Sequence, residues 1–79
     1  MLLQELSKEL ERYYEIGKQR KEVVPLVQCF GIKYSDVITN NNIRVDDIVV
    51  KTSLRDTKLA TEIKKGMKLA KYVMMKNNI

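Results

Sequence analysis

Residues 26–42 read Leu26-Val-Gln-Cys-Phe-Gly-Ile-Lys-Tyr-Ser-Asp-Val-Ile-Thr-Asn-Asn-Asn42, and this stretch decides between a helical fold and a β-hairpin. Read as helices, it starts from Pro25, because proline fits the first turn of a helix, where its missing N–H costs nothing. Leu26, Val27 and Phe30 then form a buried side, and Gly31 reads as the residue that stops the helix. Ser35 reads as the N-cap of a second short helix with Val37 and Ile38 facing inward. Asn40, Asn41 and Asn42 end it, since asparagine tolerates the left-handed conformation that a helix end needs. Read as strands, Ile32–Ile38 would pair with Ile43–Val50 through the asparagine turn. Alternation breaks at Val37-Ile38 and at Ile48-Val49-Val50, so helices are the preferred reading. Asp46 and Asp47 agree, because a helix's first turn favours negative charge.

The flanks are easier to read. Leu3, Leu6, Leu10, Tyr13 and Gly17 recur at alternating spacings of three and four, one apolar stripe on an N-terminal helix. The stripe covers about two heptads, too few to join two chains unaided, and suits packing onto its own domain. At the other end, Ser53 followed by Asp56 has capping-box spacing. From there Leu59, Ala60, Ile63, Gly66, Met67, Ala70, Val73 and Met74 share one helix face, while Lys58, Lys64, Lys65, Lys68, Lys71 and Lys76 share the other. Gly66 weakens a helix by about 1 kcal/mol relative to alanine. Its place on the apolar face points to close approach of another helix as compensation.

The fold expected is therefore all-α and a single domain over residues 1–79. It has an amphipathic helix in 1–22, short helices around a corner in 25–51 and a basic amphipathic helix in 53–76. Leu6, Leu10, Tyr13, Leu26, Phe30, Val37, Ile48, Leu59, Ile63, Met67, Ala70 and Met74 are the expected core. At 79 residues, with 44% apolar and 32% charged, such a chain buries only about 60% of its unfolded surface. A thin core invites a second copy, so a homodimer is expected.

Composition also excludes chemistry. The chain has no histidine and one cysteine, which removes Ser-His and Cys-His nucleophiles, an internal disulfide and a thiolate metal cage. Cys29, between Gln28 and Phe30, reads as a small buried hydrophobe. Asp46 and Asp47 are adjacent, so on a helix they diverge by about 100° and cannot pair across a substrate. Gly17, Gly31 and Gly66 are too scattered for a phosphate loop. No catalysis, cofactor or metal is expected. No run of 18 apolar residues exists and Glu5 and Glu9 interrupt the N-terminus, so neither a membrane span nor a signal peptide is read, and a cytoplasmic protein is expected. The Lys, Asn and Ile content hints at a phage or mobile-element source.

Charge is unevenly placed. Residues 1–22 carry five acids and five bases, residues 23–50 three acids and two bases, and residues 51–79 two acids and eight bases. The whole excess of the +5 chain thus lies in its last third, which suits a polyanion. Beside this, residues 26–42 resemble the helix-turn-helix of bacterial and phage DNA-binding regulators. Leu26 and Phe30 match the first helix's core, Gly31 the turn glycine, Ile32 its apolar follower and Val37 the residue that pins the second helix. Val27 departs from the small residue usual at its place, and Asn40 from the usual second apolar pin. The resemblance implies duplex DNA as partner and a second helix in the major groove. Lys33, Tyr34, Ser35, Asp36, Thr39 and Asn40 would then face bases. Lys58, Lys64, Lys65, Lys68 and Lys71 would hold phosphates, with Lys51 and Arg55 at the start of that helix.

A different class of function stays open: a non-catalytic module docking its helices on an acidic protein, with methionines as an adaptable surface. Exposed Met67, Met74 and Met75 with a buried 31–42 corner would favour it; a corner protruding beside the lysines would favour DNA. An anionic membrane surface is disfavoured, because the chain has no Trp and one Phe for the apolar boundary.

Overall fold

The computed structural model describes residues 2–54, 56 and 58–76. They form four helices, with no strand among them: α1 (Leu2–Arg20), α2 (Val23–Asn40), α3 (Val45–Lys51) and α4 (Lys58–Leu69). The all-α reading holds, and the hairpin alternative is not formed. α1 and α2 are antiparallel: Glu9 meets Tyr34, Tyr13 meets Phe30, and Gly17 packs on the backbone of Val23. The stripe read on α1 is the buried one, with Leu6, Leu10, Tyr13 and Gly17 inside and Leu3 half-buried.

Both connections leaving α1 and α2 use the same helix-ending motif. Glu22 N–H donates to the Gly17 carbonyl (2.7 Å) and Lys21 N–H to Lys18 (3.2 Å), with Lys21 at φ 58°. Ile43 N–H donates to Ile38 (3.0 Å) and Asn42 N–H to Thr39 (3.2 Å), with Asn42 at φ 53°. In each case a left-handed residue lets two orphan carbonyls be satisfied. Ile43 then packs on the core, the apolar contact that accompanies this motif.

Gly31 does not turn the chain. α2 runs through it as one helix of 18 residues, so the expected pair of short helices between Pro25 and Asn41 is one helix and Ser35 lies inside it rather than capping it. The reason lies on α4. A Cβ on Gly31 would run into the Ile63 carbonyl and come within 3.1 Å of the Gly66 Cα, and a Cβ on Gly66 would run into the Gln28 carbonyl. The two glycines face each other and let α2 and α4 cross at backbone contact. The close approach expected of Gly66 is thus present, and its partner is the glycine read as a turn.

α4 is also shorter than expected. Ser53 does not cap it: its N–H and hydroxyl both donate to Glu11 Oε2, at 3.0 and 3.2 Å. Asp56 Oδ1 instead accepts from Lys58 N–H at 3.0 Å. The helix ends at Leu69 rather than near residue 76. Gln28 lies beside Glu62 and Gly66, and Ser35 beside Met67 and Ala70, so α4 runs in the same direction as α2. α2 continues to Asn40, past the end of α4. The chain after α4 turns back, and Val73, Met74 and Met75 lie near Ile32 and Ser35. Met74, expected in the core, is 86% exposed. Val37, Met67 and Ala70 are half-buried, while the other expected core residues are buried.

α3 takes the helical alternative over the hairpin, and its burial is regular. Val45, Ile48, Val49 and Thr52 are all buried, an i, i+3, i+4, i+7 stripe. Its last carbonyls have partners: Ser7 hydroxyl lies 3.0 Å from the Ile48 carbonyl, and Thr52 donates its N–H and hydroxyl to Val49. Ser7 thereby ties α3 to α1.

Two outcomes follow for stability, both read from urea midpoints. A glycine-to-alanine change in an open helix stabilises by about 1 kcal/mol; Gly66→Ala should reverse that sign and destabilise by about 1–3 kcal/mol, because α2 and α4 must separate. The Tyr13 hydroxyl is buried without a hydrogen-bond partner, so Tyr13→Phe should hold or raise stability, by up to about 1 kcal/mol, since an unsatisfied buried hydroxyl opposes folding.

Candidate nucleic-acid interface

α4 places its two faces by periodicity. Leu59, Ala60, Ile63 and Gly66 are buried; Lys58, Thr61, Lys64, Lys65 and Lys68 are exposed. Lys71 is exposed just beyond the last turn. From Lys58 to Lys68 the row is about 15 Å long at 1.5 Å per residue. Glu62 is its one acid. Glu62 Oε1 accepts from Gln28 Nε2 at 2.8 Å and Glu62 Oε2 lies 3.5 Å from Lys65 Nζ. Among the described residues no carboxylate pairs with Lys58, Lys64, Lys68 or Lys71. Arg55, read as part of this surface, lies outside the described residues.

α3, the residues 52–57 and α4 together make a helix, a short connection and a second, exposed basic helix. The sequence reading placed a helix-turn-helix corner at Gly31, where α2 instead runs on unbroken. The Val45/Ile48/Val49/Thr52 stripe, followed by Asp56 and the lysine row, is the sequence signal that marks this second helix pair.

The residues expected to face bases are divided. Ser35, Asp36 and Thr39 lie on the side of α2 next to α4, where they line a groove with Met67, Ala70 and Lys71. Lys33 is exposed, its ammonium 5.5 Å from the Tyr34 ring centroid. Asn40 is exposed at the end of α2. Tyr34 points the other way, onto α1. So three of the six lie beside the basic helix, and a single side of the molecule carries them with Lys71. Gln28, Thr61 and Glu62 belong to this surface and were not singled out from the sequence. Of the discriminating features, Met74 is exposed, Met67 and Met75 are half-buried, and no corner exists at 31–42 to protrude.

Tyr34 belongs to a polar clasp between α1 and α2. Its hydroxyl donates to Glu9 Oε1 at 2.9 Å, and Arg12 grips both Glu9 oxygens at 3.0 and 2.8 Å. Arg12's hydrogen bond holds the Glu9 carboxyl below its ordinary range, helped by Tyr34. Burial, then the Glu9 hydrogen bond, pushes the Tyr34 hydroxyl up to about 12. Tyr34 also packs against Phe30 (centroids 5.1 Å) and Tyr13 (6.5 Å). Burial pushes the Cys29 thiol up as well, away from the reactive thiolate.

No helix among the described residues is long and apolar enough to cross a membrane. No group of three or more Cys, Asp or Glu among them is placed to hold a metal ion.

The chain belongs to the HTH-like domain family, whose model matches residues 2–76. That family points to DNA binding as the kind of function and to nucleic acid as the kind of partner. No curated protein and no solved structure matches the chain.

The clasp has a pH signature. Tyr34 stays protonated to about pH 12 in the folded state but ionises near 10 when unfolded. Its contribution is complete below pH 10 and lost as pH rises towards 12. Wild type should therefore lose more stability between pH 9 and 11 than Tyr34→Phe, measured as the shift in urea midpoint.

Proposed function

We propose that this protein is a non-catalytic regulator that binds duplex DNA, with α4 in the major groove. The observation that carries this reading is the exposed row of Lys58, Lys64, Lys65 and Lys68 on α4, opposite a buried stripe, in a chain of the HTH-like family. A helix of this diameter fits the major groove, and lysines along it meet phosphates on both walls. The groove beside it, with Ser35, Asp36 and Thr39, borders the same surface. Two copies would join through the exposed apolar residues Leu69, Tyr72, Val73 and Met74, setting two basic helices on one duplex. The Lys-, Asn- and Ile-rich composition favours a phage or mobile-element source, and DNA binding suits work in the cytoplasm.

Each neutralised phosphate contributes close to one unit of salt dependence. Four or five lysines then give a slope of about −4 in log affinity against log salt, a loss of roughly 250-fold between 50 and 200 mM. Fluorescence anisotropy on a 20-base-pair duplex measures this. Lys64→Ala and Lys68→Ala should each flatten the slope by about one unit. Absence of binding at 50 mM salt, or slopes unchanged by both substitutions, rejects the reading.

A further inference from the structure

We infer that α4 grips duplex DNA without selecting its base sequence; the inference rests on the DNA-binding reading above. Base pairs are told apart by side chains that present a fixed donor–acceptor fork to the groove edge: Arg to guanine, Asn or Gln to adenine, Glu or Asp to cytosine. Among the described residues, the exposed positions of α4 hold four lysines, Thr61 and Leu69. A lysine is a point charge on a flexible stem, as able to meet a phosphate as a guanine. The two forks at this helix, the Gln28 amide and the Glu62 carboxylate, are spent on each other at 2.8 Å, and Glu62's other oxygen faces Lys65 at 3.5 Å. The Glu62 side chain is only 18% exposed, so turning it to a base would break this link and leave Gln28, itself half-buried, without its acceptor. The Asn41 amide is likewise engaged, donating to the Val37 carbonyl at 2.8 Å. Along α4 itself, what remains free is charge; the exposed Asp36 carboxylate of the neighbouring groove stands on α2, and base reading by it would register as a motif in the test below.

The test is selection by the full chain from a randomised 20-base-pair duplex pool at 50 mM salt, followed by Kd values on AT-rich, GC-rich and mixed duplexes. A sequence reader loses about 5- to 150-fold for each wrong base pair. The expected result is no enriched motif and Kd values that agree within about 3-fold. Glu62→Gln keeps a partner for Gln28 and removes the one negative charge of α4; it should tighten binding to all three duplexes by the same factor. An enriched motif in the wild type overturns the inference while leaving the DNA-binding reading in place. So does a change in the order of the three Kd values on Glu62→Gln. Because the whole chain is used, guanine reading by Arg55 would register as such a motif. Failure to retain any duplex at 50 mM salt defeats the DNA-binding reading, and this inference falls with it.

Discussion

α2 and α4 touch backbone to backbone where Gly31 meets Gly66, and the arrangement of the other elements depends on that contact. Side chains at a helix crossing hold axes 8–10 Å apart; two facing glycines remove them and let carbonyls and Cα atoms meet. The approach fixes α4 along α2 at one depth. It buries Leu59, Ala60 and Ile63, and it leaves the lysine side of α4 no direction but outward. The same contact explains the tolerance of two glycines in helix interiors, each of which costs about 1 kcal/mol of helix propensity.

α2 is consequently the shared wall of the molecule. One side meets α1 through the Tyr13, Phe30 and Tyr34 rings and the Glu9–Arg12–Tyr34 clasp. The other side meets α4. α3, only 7 residues long, could not stand alone; Ser7 and the Val45/Ile48/Val49 stripe hold it to α1 and the core. Its position sets where the connection to α4 begins, and so the end of α4 that would enter a groove first. α1 and α3 thus fix the position of the lysine row without contributing to it, while α2 borders it through Ser35, Asp36 and Thr39.

Much of this was legible in the chain. The stripe on α1 and the two-faced α4 each span enough turns for a 3.6-residue period to declare itself, and Asn42 takes the left-handed conformation that asparagines after a helix suggest. The role of Gly31 was not legible. Glycine fits a tight turn and a close helix crossing equally well, and the choice was made by Gly66, distant in sequence. The end of α4 was hidden for a similar reason: Ala70 and Met74 continue the apolar face, but whether they are covered depends on how the chain after Leu69 lies against α2, and Met74 is left exposed. α3 has a single stripe of four residues, too short to outweigh its β-branched composition. Each miss falls where one local pattern serves two packings and a remote partner decides between them. The lysines of α4 are exposed as the periodicity indicated, but α2 does not bend at Gly31, where a corner was read.

The charge on α4 is also an energetic oddity. Lys64 and Lys68 stand four residues apart with no acid between them on that face, a like-charge pair that opposes the helix by a few tenths of a kcal/mol. Elsewhere the chain places acids to meet its bases, as Glu9 does for Arg12. On α4 the single acid is turned toward Gln28 and Lys65, and the remaining lysines are left to repel one another. A polyanion laid along that row would exchange repulsion for attraction and stabilise only the folded chain, since the unfolded one cannot hold the lysines in register. Binding and folding would then support each other, in a small protein whose thin core leaves little stability in reserve.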